Sequence, residues 1–240
     1  MKQIIDSFIG NIIIITFILL HTFGNVMGQT NTNGTLNDTI GKEPAFIKCK
    51  GEYLEKGKVV LRWVPPSAGT WKKLNYYGYK IERAEIDSTK DEKLQFVTLA
   101  DSLKPLSLEK WKALALQNPT DTMFMVAGQS IHGEYQYKPF SIENLEIMDD
   151  QLNNYFTACI FATGYSALAG NTAALRFEDK TVETNKIYVY RIIPLLPASE
   201  EFVDQGLAYV FTNKIAEFPK VVLNDTIQSD KYLEIFWDKP

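Results

Sequence analysis

The nine residues KVVLRWVPP, 58–66, constrain the fold more tightly than any other stretch of the 240-residue chain. Side chains alternate across an extended backbone, so Val59, Leu61 and Trp63 share one face while Val60 and Arg62 share the other. Neither proline can donate to a ladder, so the strand ends there. A strand with a large apolar face needs a sheet and a second layer to bury it. Similar short runs follow: YGYKIERAE at 77–85, KLQFVTL at 93–99, RFEDKTV at 176–182, KIYVYRIIPL at 186–195 and LAYVFTNKI at 207–215. Short β-branched and aromatic strands separated by Pro, Gly and Asn predict an antiparallel β-sandwich.

One arrangement occurs twice. LNDTI stands at 36–40 and again at 223–227, and each copy precedes an apolar run that rises to a tryptophan and then a proline. The second run is KYLEIFWDKP, 231–240, with Tyr232, Ile235 and Trp237 as its large apolar residues. The order of linker, strand, Trp and Pro reads as a repeated domain beginning. The ending is then strand B of a second module cut short, and the chain a piece of a longer multidomain protein.

These residues resemble the fibronectin type III family. VVLRWVPP is similar to its strand B, whose tryptophan plugs the core, and YGYKIERAE is similar to strand C. VETNKIYVYRIIPL resembles the turn and strand F, with Tyr188 or Tyr190 in the region of the tyrosine corner. The resemblance implies structural roles for Trp63, Tyr188, Tyr190 and, in a second copy, Trp237. It covers roughly residues 44–99 and 175–216. A module of that family needs about 100 residues, and Ala45 to Ala216 is far longer. The excess is helical in pattern. LSLEKWKALALQN offers Ser107 as N-cap, with Leu108, Trp111 and Ala115 on one face. NPTDTMFMVAGQSIHG offers Asp121 as cap and Gly133 as stop, with Phe124, Gly128 and Ile131 between them. From Ser141 onward, Leu145, Met148, Leu152, Tyr155 and Cys159 form an apolar stripe, with Asp149, Asp150, Asn153 and Asn154 facing away. The expected architecture is mainly β: a fibronectin type III-like sandwich over 44–218, with a helical insertion at about 100–172. A linker and the first strand of a second, truncated copy follow at 219–240.

The N-terminus sets the compartment. Lys2 precedes an apolar run from Phe8 to Leu20, and Val26 and Gly28 suit a signal-peptidase site before Gln29. The run is shorter than the roughly 20 residues of a membrane span. Residues 1–28 therefore read as a signal peptide, a retained anchor being the competing reading, and 29–43 as a polar, disordered linker. The expected location is secreted, periplasmic or cell-surface, with no span after cleavage. A formal charge of −4 without a basic cluster argues against nucleic acid as partner. In an exported chain, Cys49 and Cys159 allow one disulfide, against the reading of two buried free thiols.

Chemistry is sparse. His132 is the single histidine beyond the leader, so a Ser-His or Cys-His mechanism would have to use it. GQSIHG, 128–133, and GYSALAG, 164–170, both depart from the nucleophile elbow G-x-S-x-G. No zinc spacing, calcium loop or marked carboxylate pair stands out. No cofactor or metal is expected. Two surfaces could bind a partner. The stretch PPSAGTWKKLNYYGY carries Trp71, Tyr76 and Tyr77, read either as ligand-facing rings or as packing beneath the helices. The acidic loop LPASEEFVDQG, 196–206, carries Phe202 at its centre. The resulting expectation is an exported, non-catalytic, multidomain protein whose modules bind protein or glycan or act as spacers. The alternative is an accessory module of a larger carbohydrate-active or other secreted hydrolase, whose catalytic domain would lie beyond residue 240.

Overall fold

Alternation in KVVLRWV is realised as strand β2, Lys58–Val64, which is the centre of the first sheet. In the computed structural model, residues 45–86, 93–134, 141–197, 199–217, 223–230 and 232–237 are described. The expected signal peptide, the linker 29–43 and the first LNDTI lie outside them. Strand β1, Lys48–Glu55, pairs antiparallel with β2, placing Cys49 opposite Trp63 and Gly51 opposite Leu61. Strand β5, Arg176–Asp179, closes the other side of β2. The second sheet runs in the order β4 (Val97–Leu103), β3 (Tyr79–Ile86), β6 (Ile187–Pro194) and β7 (Gly206–Phe211), again antiparallel.

The inner faces of the two sheets share one core. Val59, Leu61 and Trp63 on β2 are buried together with Tyr79 and Ile81 on β3, Tyr190 and Ile192 on β6, and Val210 on β7. Trp63 meets Tyr79 edge-on at 5.5 Å between ring centroids. The sheets approach so closely at Gly51 that a Cβ there would lie 2.5 Å from Val210 Cγ2.

Helices supply as much of the fold as strands do. Helix α1, Ala68–Tyr77, joins β2 to β3, and α2 (Leu108–Gln117), α3 (Thr122–His132), α4 (Ile142–Tyr165) and α5 (Ala167–Thr172) join β4 to β5. The stretch 68–77, which carries Trp71, Tyr76 and Tyr77, is helical, and Ser67 Oγ caps it by accepting from Thr70 N at 3.1 Å. Its turns then place Ala68, Trp71 and Leu74 on the core side. Asp121 caps α3 by accepting from Phe124 N at 2.8 Å, and Gly133 follows its last turn. Ser107 precedes α2 without making a side-chain cap bond. On α4, Cys159 is buried, Met148 and Leu152 are half-buried, and Asp149 and Asn153 are exposed. Leu145 lies outside the described side chains.

This architecture corrects the mainly-β expectation and the fibronectin type III resemblance. Among the described residues there are roughly equal parts of helix and strand, in three open sheets and five helices, with no closed sheet. The physical reason is that the helices are part of the core rather than a lid upon it. Trp71, Leu74, Trp111, Phe124, Cys159 and Ala162, all helical, are buried in the same cluster as the strand residues. Trp71 packs on Phe156 of α4 at 5.7 Å between centroids. Trp111 stacks on Phe124 at 4.8 Å and donates from Nε1 to the Phe124 carbonyl at 3.2 Å.

Polar contacts tie helices and sheets together. Arg62, on the outer side of β2, donates from Nη1 to the Thr163 carbonyl at 2.7 Å, at the end of α4. Buried Asp179 accepts from Arg83 at 2.6 Å, from the Tyr190 hydroxyl at 2.8 Å and from both the backbone and hydroxyl of Thr181. Burial opposes its ionisation, but these donors hold its carboxyl below the usual aspartate range. The other tyrosine of the pair, Tyr188, accepts from Glu183 N at 3.1 Å through its hydroxyl.

The third sheet stands apart. Strands β8, Leu223–Gln228, and β9, Leu233–Trp237, pair with each other, with Leu223 opposite Trp237 and Thr226 opposite Ile235. The second LNDTI, read as a linker, is therefore a strand. Among the described residues neither strand joins another sheet. Ile227, Leu233, Ile235 and Phe236 are all exposed.

Candidate binding surface

Of the four residues named for ligand contact, Trp71 is buried, and Tyr76, Tyr77 and Phe202 lie on two segments that hydrogen bonds bring together. Trp71 is 0% exposed, so its ring cannot stack on a ligand; it forms part of the seam between α1 and α4. The 3.6-residue period of α1 places Lys73 and Tyr76 away from that buried stripe and Tyr77 at its edge. Tyr76 is 74% exposed and Tyr77 half-buried, and their rings meet edge-on at 5.0 Å. The Lys104 ammonium sits 5.5 Å from the Tyr76 ring centroid, on the connection between β4 and α2.

The acidic β6–β7 connection is fastened to this helix. Thr70 Oγ1 donates to Glu201 Oε1 at 2.9 Å, and Lys73 Nζ lies 3.4 Å from Glu201 Oε2 and 3.6 Å from Glu200 Oε2. Thr70 is buried and Glu201 half-buried, so the central bond is shielded, whereas the lysine contacts are more open and worth less. Next to Glu201, Phe202 is 71% exposed. The connection is anchored at its far end, where Asp204 N donates to the Ala45 carbonyl and Ile47 N to the Asp204 carbonyl. Beside that anchor is an open cleft of about 480 Å³, lined by Phe46, Cys49, Asp204 and Leu207 among others. Chemically the surface offers exposed aromatic rings among charges of both signs.

Residues considered for chemistry occupy structural positions. Ser130 Oγ donates back to the Val126 carbonyl at 2.9 Å within α3, and His132 packs edge-on against Trp111 at 5.6 Å. His132 Nε2 is buried without a hydrogen-bond partner, and burial pushes its pKa below the ordinary histidine value. Cys49 and Cys159 carry free thiols, which burial raises to about 11 and about 12 respectively. Thiols so raised are poor nucleophiles near neutral pH. Among the described residues, no three His, Cys, Asp or Glu side chains gather as a metal ion would require. No described helix is long and apolar enough to cross a membrane.

Sequence reasoning missed Lys73, Thr70 and Glu201 as the elements that unite the two surfaces. The cue for α1 was available in Ser67 followed by Thr70 and by apolar residues at 68, 71 and 74. Nothing in the sequence pairs Lys73 with residues 127 and 128 positions away. No family model, curated protein or solved structure matches this chain.

Proposed function

We propose that this chain is an exported, non-catalytic protein that binds a protein or glycan partner through the surface made by α1 and the β6–β7 connection. The observation that carries the reading is the Thr70–Glu201 bond, with Lys73 beside it. It holds two exposed aromatic segments, at Tyr76 and at Phe202, on one scaffold instead of leaving them on separate loops. Large exposed rings cost little conformational entropy to order and dominate binding energetics when a partner covers them. Export rests on the leader-like residues 1–28.

The experiment is a binding screen of the purified protein on arrayed glycans and on candidate surface proteins, repeated with a Tyr76→Ser/Phe202→Ser double variant. Both rings are exposed, so the variant keeps its fold and its thermal midpoint. A partner whose binding falls at least tenfold in the variant supports the reading; a partner bound equally by both proteins removes it. A role as accessory module of a larger secreted hydrolase is the second reading. It is favoured by the Tyr76–Tyr77 ring pair, since such rings stack on sugar faces, and it requires binding to a polysaccharide rather than a protein.

A further inference from the structure

Strand β7 is an edge of the second sheet, and two backbone bonds fix which of its groups are free. Leu195 N donates to the Gly78 carbonyl and Thr212 N to the Lys186 carbonyl, each continuing a ladder by one residue. Bonded and non-bonded pairs alternate along an antiparallel ladder. Odd residues of β6 therefore bond to β3 and even ones to β7, so Gly206, Ala208 and Val210 bond back to β6. Leu207, Tyr209 and Phe211 turn their N–H and C=O groups away from the sheet, and no other described strand pairs with them.

The side chains of the same three residues lie on the outer face, each roughly half exposed. None is charged or proline, and the β6–β7 register runs without a bulge, so the usual protections of an edge strand are missing here. The stretch is bounded by anchors. Before it, Asp204 is tied to Ala45 and Ile47; after it, Ala216 is tied to Tyr53.

We propose that β7 of one copy pairs antiparallel with β7 of a second copy, about a twofold axis at Tyr209. In this register Tyr209 meets Tyr209 of the second copy and Leu207 meets its Phe211, so all three residues exchange their free backbone bonds. Any shifted register that keeps these bonds needs Gln205 or Asn213, both outside the strand. Antiparallel pairing also brings the Asp204 end of each strand to the Lys214 end of the other, so opposite charges meet at both ends. Phe211 of the second copy comes beside Leu207, at the rim of the cleft lined by Phe46 and Cys49. A twofold contact uses the same patch on both copies, and association stops at the dimer. Three half-exposed large side chains cover roughly 300 Å² per copy. A standard interface covers about 800 Å² per partner, so the dimer is weak and reversible.

The test is sedimentation velocity of the protein with its leader removed by the producing cell, in a concentration series reaching the high micromolar range. Tyr209→Lys sets two like charges directly opposite each other at the axis. Tyr209→Pro removes the central free-edge N–H without taking a bond from β6. Tyr165→Lys, which changes an exposed ring on α4, is the control. The expected result is a monomer–dimer equilibrium whose dissociation constant rises at least tenfold in both Tyr209 variants and is unchanged in the control. Under mild oxidation Tyr209→Cys chains should form a disulfide with one another, since residues paired in this way have Cα atoms about 5.5 Å apart. That crosslink reads the pairing even if the lysine or proline variant loses its fold. A protein that stays monomeric throughout assigns the edge to another occupant and overturns the proposal. So does a dimer that Tyr209→Lys leaves as tight as its parent, or a parent dimer whose Tyr209→Cys form gives no crosslink.

Discussion

Replacing Gly128 with alanine adds one methyl group where the structure has no room for it. A Cβ at Gly128 would lie 2.3 Å from Trp111 Nε1, 2.7 Å from Cδ1 and 2.9 Å from Cε2. Ordinary carbon contacts are about 3.5–4.0 Å, so the indole has to move by about an ångström. Moving it breaks the Nε1 bond to the Phe124 carbonyl and disturbs the parallel stack on Phe124. Overpacking costs about 1–3 kcal/mol. The hydrogen bond contributes about 1 kcal/mol and the aromatic pair about 0.5–1.5 kcal/mol. Alanine's better helix propensity offsets about 1 kcal/mol. The net loss is about 3 kcal/mol, which lowers the thermal midpoint by about 6–12 °C in a chain of this size. Gly164 on α4 is the matched control, since its Cβ would meet nothing within 4 Å. There the same substitution is neutral or slightly stabilising. Thermal unfolding followed by circular dichroism measures both, and tryptophan fluorescence reports the displaced indole. A Gly128→Ala protein as stable as its parent would refute the account of α2–α3 packing.

Three further outcomes follow from the described contacts. Removing residues 219–240 should leave the thermal midpoint of the body unchanged, because β8 and β9 join neither of its sheets; a fall of several degrees would make the hairpin part of the body. Asp179→Asn should destabilise by about 3 kcal/mol in chemical denaturation, since it leaves the Arg83 guanidinium without its buried counter-charge, and a loss below about 1 kcal/mol would show the network to be dispensable. His132 has a folded pKa below the unfolded value of about 6.5, mainly through burial. The unfolded chain therefore takes up its proton first, and stability declines as pH falls from about 6.5 through the lower folded value. His132→Gln should flatten that decline, and an unchanged slope would place its origin elsewhere.

How much was legible in the chain depended on whether the signal was local. Strand periodicity located β2, β3, β5, β6 and β7, because alternation is written in adjacent residues. The caps at Asp121 and Gly133 marked both ends of α3 for the same reason. β1 escaped notice because its inward positions include Cys49 and Gly51, small residues that sit against Gly206 and Val210 respectively and carry little hydrophobic signal. α1 escaped because Pro65 and Pro66 and two lysines gave the stretch a loop-like composition, although Ser67 begins a helix there. The balance of fold class was misjudged for a different reason: periodicity shows that a helix has an apolar face, not how much of the core that face fills. The candidate surface was half visible. Its aromatic residues stood out, but the contacts that join them span more than 120 positions and have no local trace.

The bond from Arg62 to the end of α4 makes the connecting segment a part of fixed length. Removing one residue from α4 would turn everything beyond the cut by about 100° and shift it by about 1.5 Å. The Thr163 carbonyl would then point away from the guanidinium, and the Trp71–Phe156 and Cys159 contacts could not all be kept with it. Loops of this chain can lengthen or shorten between relatives without disturbing that relation, whereas α4 can change only by whole turns. Gaps in an alignment of true relatives should therefore fall outside residues 152–165.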